Sequence, residues 1–537
     1  MEESSVPPEA VRAIKSMYAN VKAKVQTGDT QVIIDILNGF KQGCPASPIL
    51  FIMLLSDAPR YFQSKEKSSL GDLDEVEIPS GFYHPIFIKN LIMLLFADDT
   101  TLIAATDNEE KPELAITCAQ NQLDICSGYL TTNNLFLNVD KTHYMVIDNM
   151  KKLEKQGSWS LSFENKELKR VDKFTILGFL QTSDGKNDAH IEHRAQKAMN
   201  SFFVWKRWLK SNPHAPIPLA LQIFRQLVES SLLYGVDVMG HCTKQQIQKL
   251  QSVQLMGLRA LLGVRGSTSN AAVFGELGVL PIEYLIDIST IKYWKHVLSS
   301  SHEGKPSLLF CAYQLSLSMH QDGHTTYASH IKDLLSKYSL DEFWTKQSAE
   351  GLSDTMINQK VKEYYIEKVW KPELKREEAK SGNGKNALRT YRLFKTSFEL
   401  SAHLSLNLPW TKIASLTQLR TGSHKLPIAT GRWERVTIDG QRRQKPAEQR
   451  LCDNCNEDCI GDEIHWTIEC KGNRDEFLKF RSIVSNMDLP DIMMDHTQPK
   501  ETFTSLMMSD NEDLLKHFVT YVHTLTVSRR RNLKLRT

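Results

Sequence analysis

Between Leu91 and Ala104 the sequence reads LIMLLFADDTTLIA. Two adjacent carboxylates, Asp98 and Asp99, interrupt two short apolar runs. Runs of this size on either side of turn-forming residues fit β-strands, and Asp is a favoured turn residue. The stretch predicts a β-hairpin, with strands over 86–96 and 100–104, that carries two like charges at its tip. Like charges side by side repel, and two readings resolve this. In one, water solvates an ordinary turn. In the other, a divalent cation offsets the repulsion through hard oxygen ligands. Carboxylates on neighbouring strands can hold the pair of cations, about 3.5–4 Å apart, that drives phosphoryl transfer.

Bulk properties narrow the setting. A chain of 537 residues has room for several cores. An apolar fraction of 41% and a charged fraction of 24% are those of a soluble globular protein. The net charge of +3 gives no whole-chain reason to bind a polyanion, so local basic clusters carry that question. Nine cysteines are too sparse for a disulfide framework, and Cys452, Cys455, Cys459 and Cys470 crowd together, which suits a reducing compartment and one metal site. The opening MEESSVPPEA does not read as a signal peptide, and no apolar run nears the roughly 20 residues of a membrane span. The expectation is an intracellular protein of the cytoplasm or nucleus that does not enter a membrane. Its oligomeric state is left open.

Along the chain, 6–19 reads as a helix and AKVQTGDTQVIIDI as a hairpin turning at Gly28-Asp29. GFKQGCPASPILFIMLLSDAP is a Gly- and Pro-rich loop that runs into an apolar helix ending at Pro59. Helical spacing follows from Pro112 to Leu130. NNLFLNVDKTHYMVI is strand-like, with a turn at Asp140-Lys141, and KFTILGFLQTSDG reads as a strand pair. From His190 to about His296 the pattern is helical. Lys362–Ser397 mixes charge runs with SGNGKNA, a candidate linker.

The segment Gly39–Phe51, followed by Phe96-Ala97-Asp98-Asp99, resembles the reverse transcriptases of non-LTR (LINE-type) retrotransposons. In that family a G-x-x-Q-G-x-P-x-S-P-x-x-F segment precedes a [YF]-A-D-D hairpin. Gly39, Gln42, Gly43, Pro45, Ser47, Pro48 and Phe51 occupy each fixed position here. The resemblance implies that Asp98 and Asp99 are catalytic ligands of Mg²⁺ in a two-metal site. It implies template or nucleotide contacts at Gly39, Gln42 and Gly43, and a phosphate contact at Lys141 in LNVDKTHYMVI. FTILGF is similar to the family's Leu-Gly hairpin, so Leu177 and Gly178 would grip the primer. SSLLYGVDVMG and LQSVQLMGLRALLGVRG…FGELGVLPIE look like its segments after the palm. The bland alternatives remain: Ser47 and Pro48 suit any helix start, and a lysine after a turn is ordinarily a solvated charge.

Near the C-terminus, Cys452-x2-Cys455-x9-His465-x4-Cys470 offers three thiolates and an imidazole, a donor set for structural Zn²⁺, with Cys459 the odd one out or a competitor of Cys455; a set of unpaired thiols is the alternative. LTQLRTGSHKLPIATGRW upstream is similar to the segment before the zinc-binding element of these proteins. Arg420, Arg432, Arg435, Arg442 and Arg443 are candidate nucleic-acid contacts, with Trp433 and Trp466 interleaved, since cations beside aromatic rings suit phosphates and bases. A solvated basic surface is the alternative. The tail SRRRNLKLRT is a nuclear address, a nucleic-acid arm, or neither.

The expected class is α+β: a partial right-hand polymerase palm over 1–155, then a primer-grip hairpin and helical thumb over 156–300. A helical connection with linker over 301–400, a CCHC zinc-binding region over 401–485 and a helical basic tail over 486–537 complete it. The implied activity is RNA-directed DNA polymerisation from RNA template, DNA primer and deoxynucleotide triphosphates. The family's further catalytic Asp, from an F-x-D-x-x-x-A-F-D segment, has no counterpart before Gly39. The expectation is therefore an N-terminally truncated enzyme with impaired activity. A non-catalytic RNA- or DNA-binding protein and an inert remnant are the alternatives.

Overall fold

The structure is a computed structural model that describes residues 7–28, 30–35, 46–55, 57–58, 61–62, 64–65, 87–88, 91–96, 99–104, 113–147, 159–300, 307–375, 388–438, 440–455, 457–485, 487 and 497–536. It is a mixed α+β chain, mostly helical, with small and largely antiparallel sheets. Two compact units form: one is mainly residues 1–174, and the other is mainly 175–301 and 309–537.

In the smaller unit the helix Pro8–Tyr18 starts on Pro7-Pro8, where a missing N–H is harmless, and the hairpin Lys22–Thr27/Thr30–Asp35 follows. The helix Ser47–Leu54 comes next. A three-stranded antiparallel sheet then runs Phe87–Ile88, Leu91–Phe96 and Asp99–Ala104. The helix Glu113–Thr132 covers it. Leu102 reaches two small cores, one with Ala58, Phe62 and Tyr129, the other with Leu123, Leu161, Phe163 and Leu168. Tyr129 donates to Asp57 Oδ1 at 2.5 Å, and the Gln120 carboxamide pairs with both backbone groups of Ser162 at 2.9 Å.

NNLFLNVDKTHYMVI departs from the expected strand. Asn134 takes a left-handed conformation (φ 52°) that ends the preceding helix. The Asn138 carbonyl then accepts from Lys141 and Thr142 N–H, so the chain turns instead of extending. Only His143–Tyr144 is strand, and it pairs in parallel with Lys169–Arg170.

The larger unit is built on helices. Asp188–Ser211, Ile217–Phe224 and Lys244–Leu262 pack around Trp205, Phe224 and Leu258. Gly257 lets two of them touch, since a Cβ there would fall 2.1 Å from the Phe224 ring. Lys244–Leu262 begins in a Thr243/Gln246 capping box and stops at Gly263 (φ 67°). The stretch expected to contain a linker is helical up to Lys375, and Trp370, Tyr391 and Phe394 within it are core residues; SGNGKNA itself lies outside the described residues. No helix among the described residues is long and apolar enough to cross a membrane.

Candidate polymerase site and metal cluster

The acidic hairpin forms with a tight register. Phe96 pairs with Asp99 and Leu91 with Ala104. Side chains alternate along a strand, so Leu102 faces the helix Glu113–Thr132 while Asp99, Thr101 and Ile103 take the opposite face. Asp99 is exposed at that face's end, and Ile103 is 41% exposed. A carboxylate placed there is open to a hard cation. Asp98 lies outside the described residues, as do Gly39, Gln42 and Gly43 of the upstream loop. Beyond that loop Ser47 is placed, with its hydroxyl 3.1 Å from Tyr18 Oη. Lys141 is exposed on its turn, its backbone N–H bonded to Asn138.

Leu177 and Gly178 form the turn between the strands Lys173–Ile176 and Phe179–Thr182. Both adopt positive φ, 48° and 83°, which Gly178 tolerates freely. Three residues fix this turn: Tyr234 lies in SSLLYGVDVMG, whereas Arg194 and His190 carry no evident sequence signal. The Tyr234 hydroxyl donates to the Leu177 carbonyl, and Arg194 lies 4.6 Å over the Tyr234 ring. His190, fully buried, stacks on Phe179 with ring centroids 4.1 Å apart. Its Nδ1 accepts from Leu180 N–H (3.0 Å), so Nε2 carries the proton and donates to the Tyr234 carbonyl (3.1 Å). Burial lowers its pKa and keeps the ring neutral.

Cys452, Cys455, His465 and Cys470 converge, with all four ligand atoms within 4.8 Å of one another. Cys452 Sγ lies 3.8 Å from Cys470 Sγ, and Cys455 Sγ lies 3.4 Å from His465 Nε2. A tetrahedron with Zn–S of about 2.3 Å and Zn–N of about 2.0–2.1 Å has edges of about 3.8 Å between sulfurs and about 3.5 Å from sulfur to nitrogen. The donor set and its spacing therefore fit Zn²⁺. The Cys459 thiol is outside this group; its carbonyl instead accepts from Cys452 N–H at 2.7 Å.

The supports are equally specific. Asp462 Oδ1 accepts from His465 N–H at 2.9 Å, and Glu469 lies 3.7 Å from His465 Nδ1, which turns Nε2 toward the thiols. Arg389 bridges Asp462 and Glu463, and Glu463 also meets His424 at 2.8 Å. From the C-terminal helix Glu512–Arg536, Arg529 grips Asp453 with two nitrogens at 2.5 and 2.6 Å. That arginine belongs to the basic tail, so part of the tail is structural. Asp453 and Arg529 are far apart in sequence, and no local pattern announces them.

The basic residues divide. Arg420 is 5% exposed and does not lie on a surface: it pairs with Glu276 at 3.0 Å, donates to the Met507 carbonyl at 2.5 Å and stacks on Phe394. This corrects its reading as a nucleic-acid contact, because a guanidinium committed to a buried carboxylate has no free face for phosphate. Arg432 is half-buried, with its Nε donated to the Ala429 carbonyl. Arg435, Arg442 and Arg443 are exposed on the hairpin Arg435–Ile438/Gln441–Gln444, where Arg442 faces Thr437 and Arg443 faces Val436. Trp433 beside them is 70% exposed, whereas Trp466 is core.

Comparison with known families adds one finding. Residues 1–180 match the family model of the reverse transcriptase (RNA-dependent DNA polymerase). That segment holds Gly39–Phe51, Asp98 and Asp99, Lys141 and the Leu177–Gly178 turn. The match indicates reverse transcriptase-type function, with divalent metal, nucleic-acid template and primer, and nucleotide substrates in general. It spans 180 of the 537 residues. No curated protein matches the chain.

Proposed function

We propose that this chain derives from a non-LTR retrotransposon reverse transcriptase and acts on an RNA template and DNA primer. The observation that carries this reading is the exposed Asp99 on the open face of a tight two-stranded hairpin, inside the segment that matches the family. In it, Asp98 and Asp99 would hold Mg²⁺, which when bound activates the primer 3′-hydroxyl and steadies the leaving pyrophosphate. The Gly39 loop, with Gln42 and Gly43, brings backbone and carboxamide to the template or nucleotide, and Lys141 meets a phosphate. The Leu177–Gly178 turn, held by Tyr234 and His190, seats the primer strand. Cys452, Cys455, His465 and Cys470 would bind structural Zn²⁺, and Arg432, Arg435, Arg442 and Arg443 contact nucleic acid beside it. Residues 1–38 contain no counterpart of the family's further Asp motif, so these residues by themselves are expected to polymerise slowly, since one carboxylate ligand fewer removes part of a contribution worth several kcal/mol.

The test is primer extension on an RNA template in Mg²⁺. Slow, template-dependent incorporation that Asp98→Ala abolishes is the expected result. Incorporation that persists unchanged in Asp98→Ala overturns the assignment. A second reading, a non-catalytic nucleic-acid binder, is favoured by the exposed Trp433 and arginine hairpin near the metal cluster. It would be supported by RNA binding that weakens in Cys452→Ser without any extension.

A further inference from the structure

The segment GLRALLGVRGSTSNAAVFGELG has no task in the reading above, yet it folds around a cleft of about 500 Å³ in the larger unit. One wall is the loop Ser267–Ser269 leading into the helix Asn270–Leu277, and Arg259 forms another. Buried Tyr284 and Trp370 close the floor.

Three features of this cleft point to an anion. Arg259 Nη2 donates to the Thr268 carbonyl (2.8 Å) and to Asn270 Oδ1 (2.7 Å), which fixes the plane of the guanidinium. Its Nε is buried and has no hydrogen-bond partner among the described residues. Thr268 lines the cleft, is only 5% exposed, and its hydroxyl is likewise buried without a partner. Orphaned buried donors of this kind are costly unless a ligand or water satisfies them. The helix start adds its open N–H groups and positive dipole end, and the Ser269 hydroxyl is not spent on capping it. Two carboxylates, Glu283 and Glu373, also line the cleft, with Lys337 3.9 Å from Glu283. Their charge opposes an anion in the cleft, so binding rests on Arg259, Thr268 and the helix start.

We infer that the Arg259–Thr268–Ser269 cleft binds a phosphate group, either free or at the phosphorylated end of a nucleic-acid strand. Planar guanidinium and hydroxyl donors at a helix N-terminus match tetrahedral phosphate oxygens. This goes beyond the polymerase reading and uses no residue of the acidic hairpin or the zinc cluster.

The experiment is calorimetric titration of the full chain with inorganic phosphate, then with one single-stranded RNA carrying a 5′-phosphate or a 5′-hydroxyl. Saturable phosphate binding is expected, weakened at least about tenfold in Arg259→Gln, since a charge-assisted hydrogen bond is lost. Ser267→Glu, an exposed position that leaves the fold alone, should weaken it similarly by repulsion. Tighter binding of the 5′-phosphorylated strand than of its hydroxyl twin identifies a strand end as the source; equal binding of the two strands, with phosphate still bound, identifies free phosphate. Arg435→Ala should leave phosphate binding intact, which separates this site from the arginine hairpin. No saturable phosphate binding by the unaltered chain, or unchanged binding in both Arg259→Gln and Ser267→Glu, overturns the inference.

Discussion

Replacing Arg420 with Met should destabilise the larger unit strongly. Glu276 is fully buried, and its carboxylate receives Arg420 Nε and Nη2 at 3.0–3.2 Å. Burial by itself would raise the Glu276 pKa, but Arg420, with His403 and Lys395 nearby, outweighs it and holds the carboxyl at about 2 against an ordinary 4.5. At 1.36 kcal/mol per tenfold, that depression corresponds to about 3 kcal/mol. Breaking one side of a buried pair typically costs about 3–5 kcal/mol, because the surviving charge is left uncompensated. The expected loss for Arg420→Met is therefore about 3–5 kcal/mol.

Urea unfolding followed by tryptophan fluorescence reads this directly, since every tryptophan except Trp159 lies in the larger unit. Adding Glu276→Gln to Arg420→Met should recover a good part of the loss, because the carboxylate that the first change leaves uncompensated is removed. The pH dependence has a defined sign. Glu276 is depressed, so its contribution is present above about pH 4.5 and is lost as pH falls toward 2. His403, lowered to about 3 by burial and then by Arg420, stays neutral when folded, so it begins to favour unfolding below about pH 6.5. A loss under about 1 kcal/mol in Arg420→Met, or no benefit from the second change, would refute this reasoning and return Arg420 to the candidates for nucleic-acid contact.

Four further outcomes follow from the same geometry. Metal analysis of the purified chain should find one zinc, lost in Cys455→Ser and unaffected in Cys459→Ser; dependence on Cys459 would contradict the four-ligand assignment. Substituting Arg435, Arg442 and Arg443 together by Ala should leave the melting temperature unchanged while flattening the salt dependence of single-strand binding by about 0.7 per lost phosphate contact. His190→Ala should cost about 2–4 kcal/mol by orphaning Leu180 N–H and the Tyr234 carbonyl. Because the folded His190 pKa is lowered, protection of the Leu180 amide from hydrogen exchange should be full above about pH 6.5 and decline below it.

Local patterns made much of the fold legible. The apolar runs around Asp98–Asp99 specified a hairpin because register there is fixed by which face is buried, and Leu102 has only one side to pack on. The Cys-x2-Cys…His…Cys spacing identified four residues that do meet, since ligand chemistry restricts both residue type and distance. Long-range electrostatics were not legible. Arg420 and Glu276 are separated by 144 residues, and nothing near LTQLRTG distinguishes an arginine facing solvent from one meeting a carboxylate inside. Arg529 and Asp453, 76 residues apart, are the same case. In NNLFLNVDKTHYMVI, alternation suggested a strand, but Asn134 and Asn138 supplied backbone turns instead.

Binding of Mn²⁺, a paramagnetic stand-in for Mg²⁺, to the acidic hairpin tests the central assignment most directly. Water-proton relaxation should report saturable Mn²⁺ binding by the full chain with zinc already bound. Asp98→Asn/Asp99→Asn should remove this binding while the exposed-arginine variants retain it. The same Mn²⁺ affinity in the double variant would contradict the assignment.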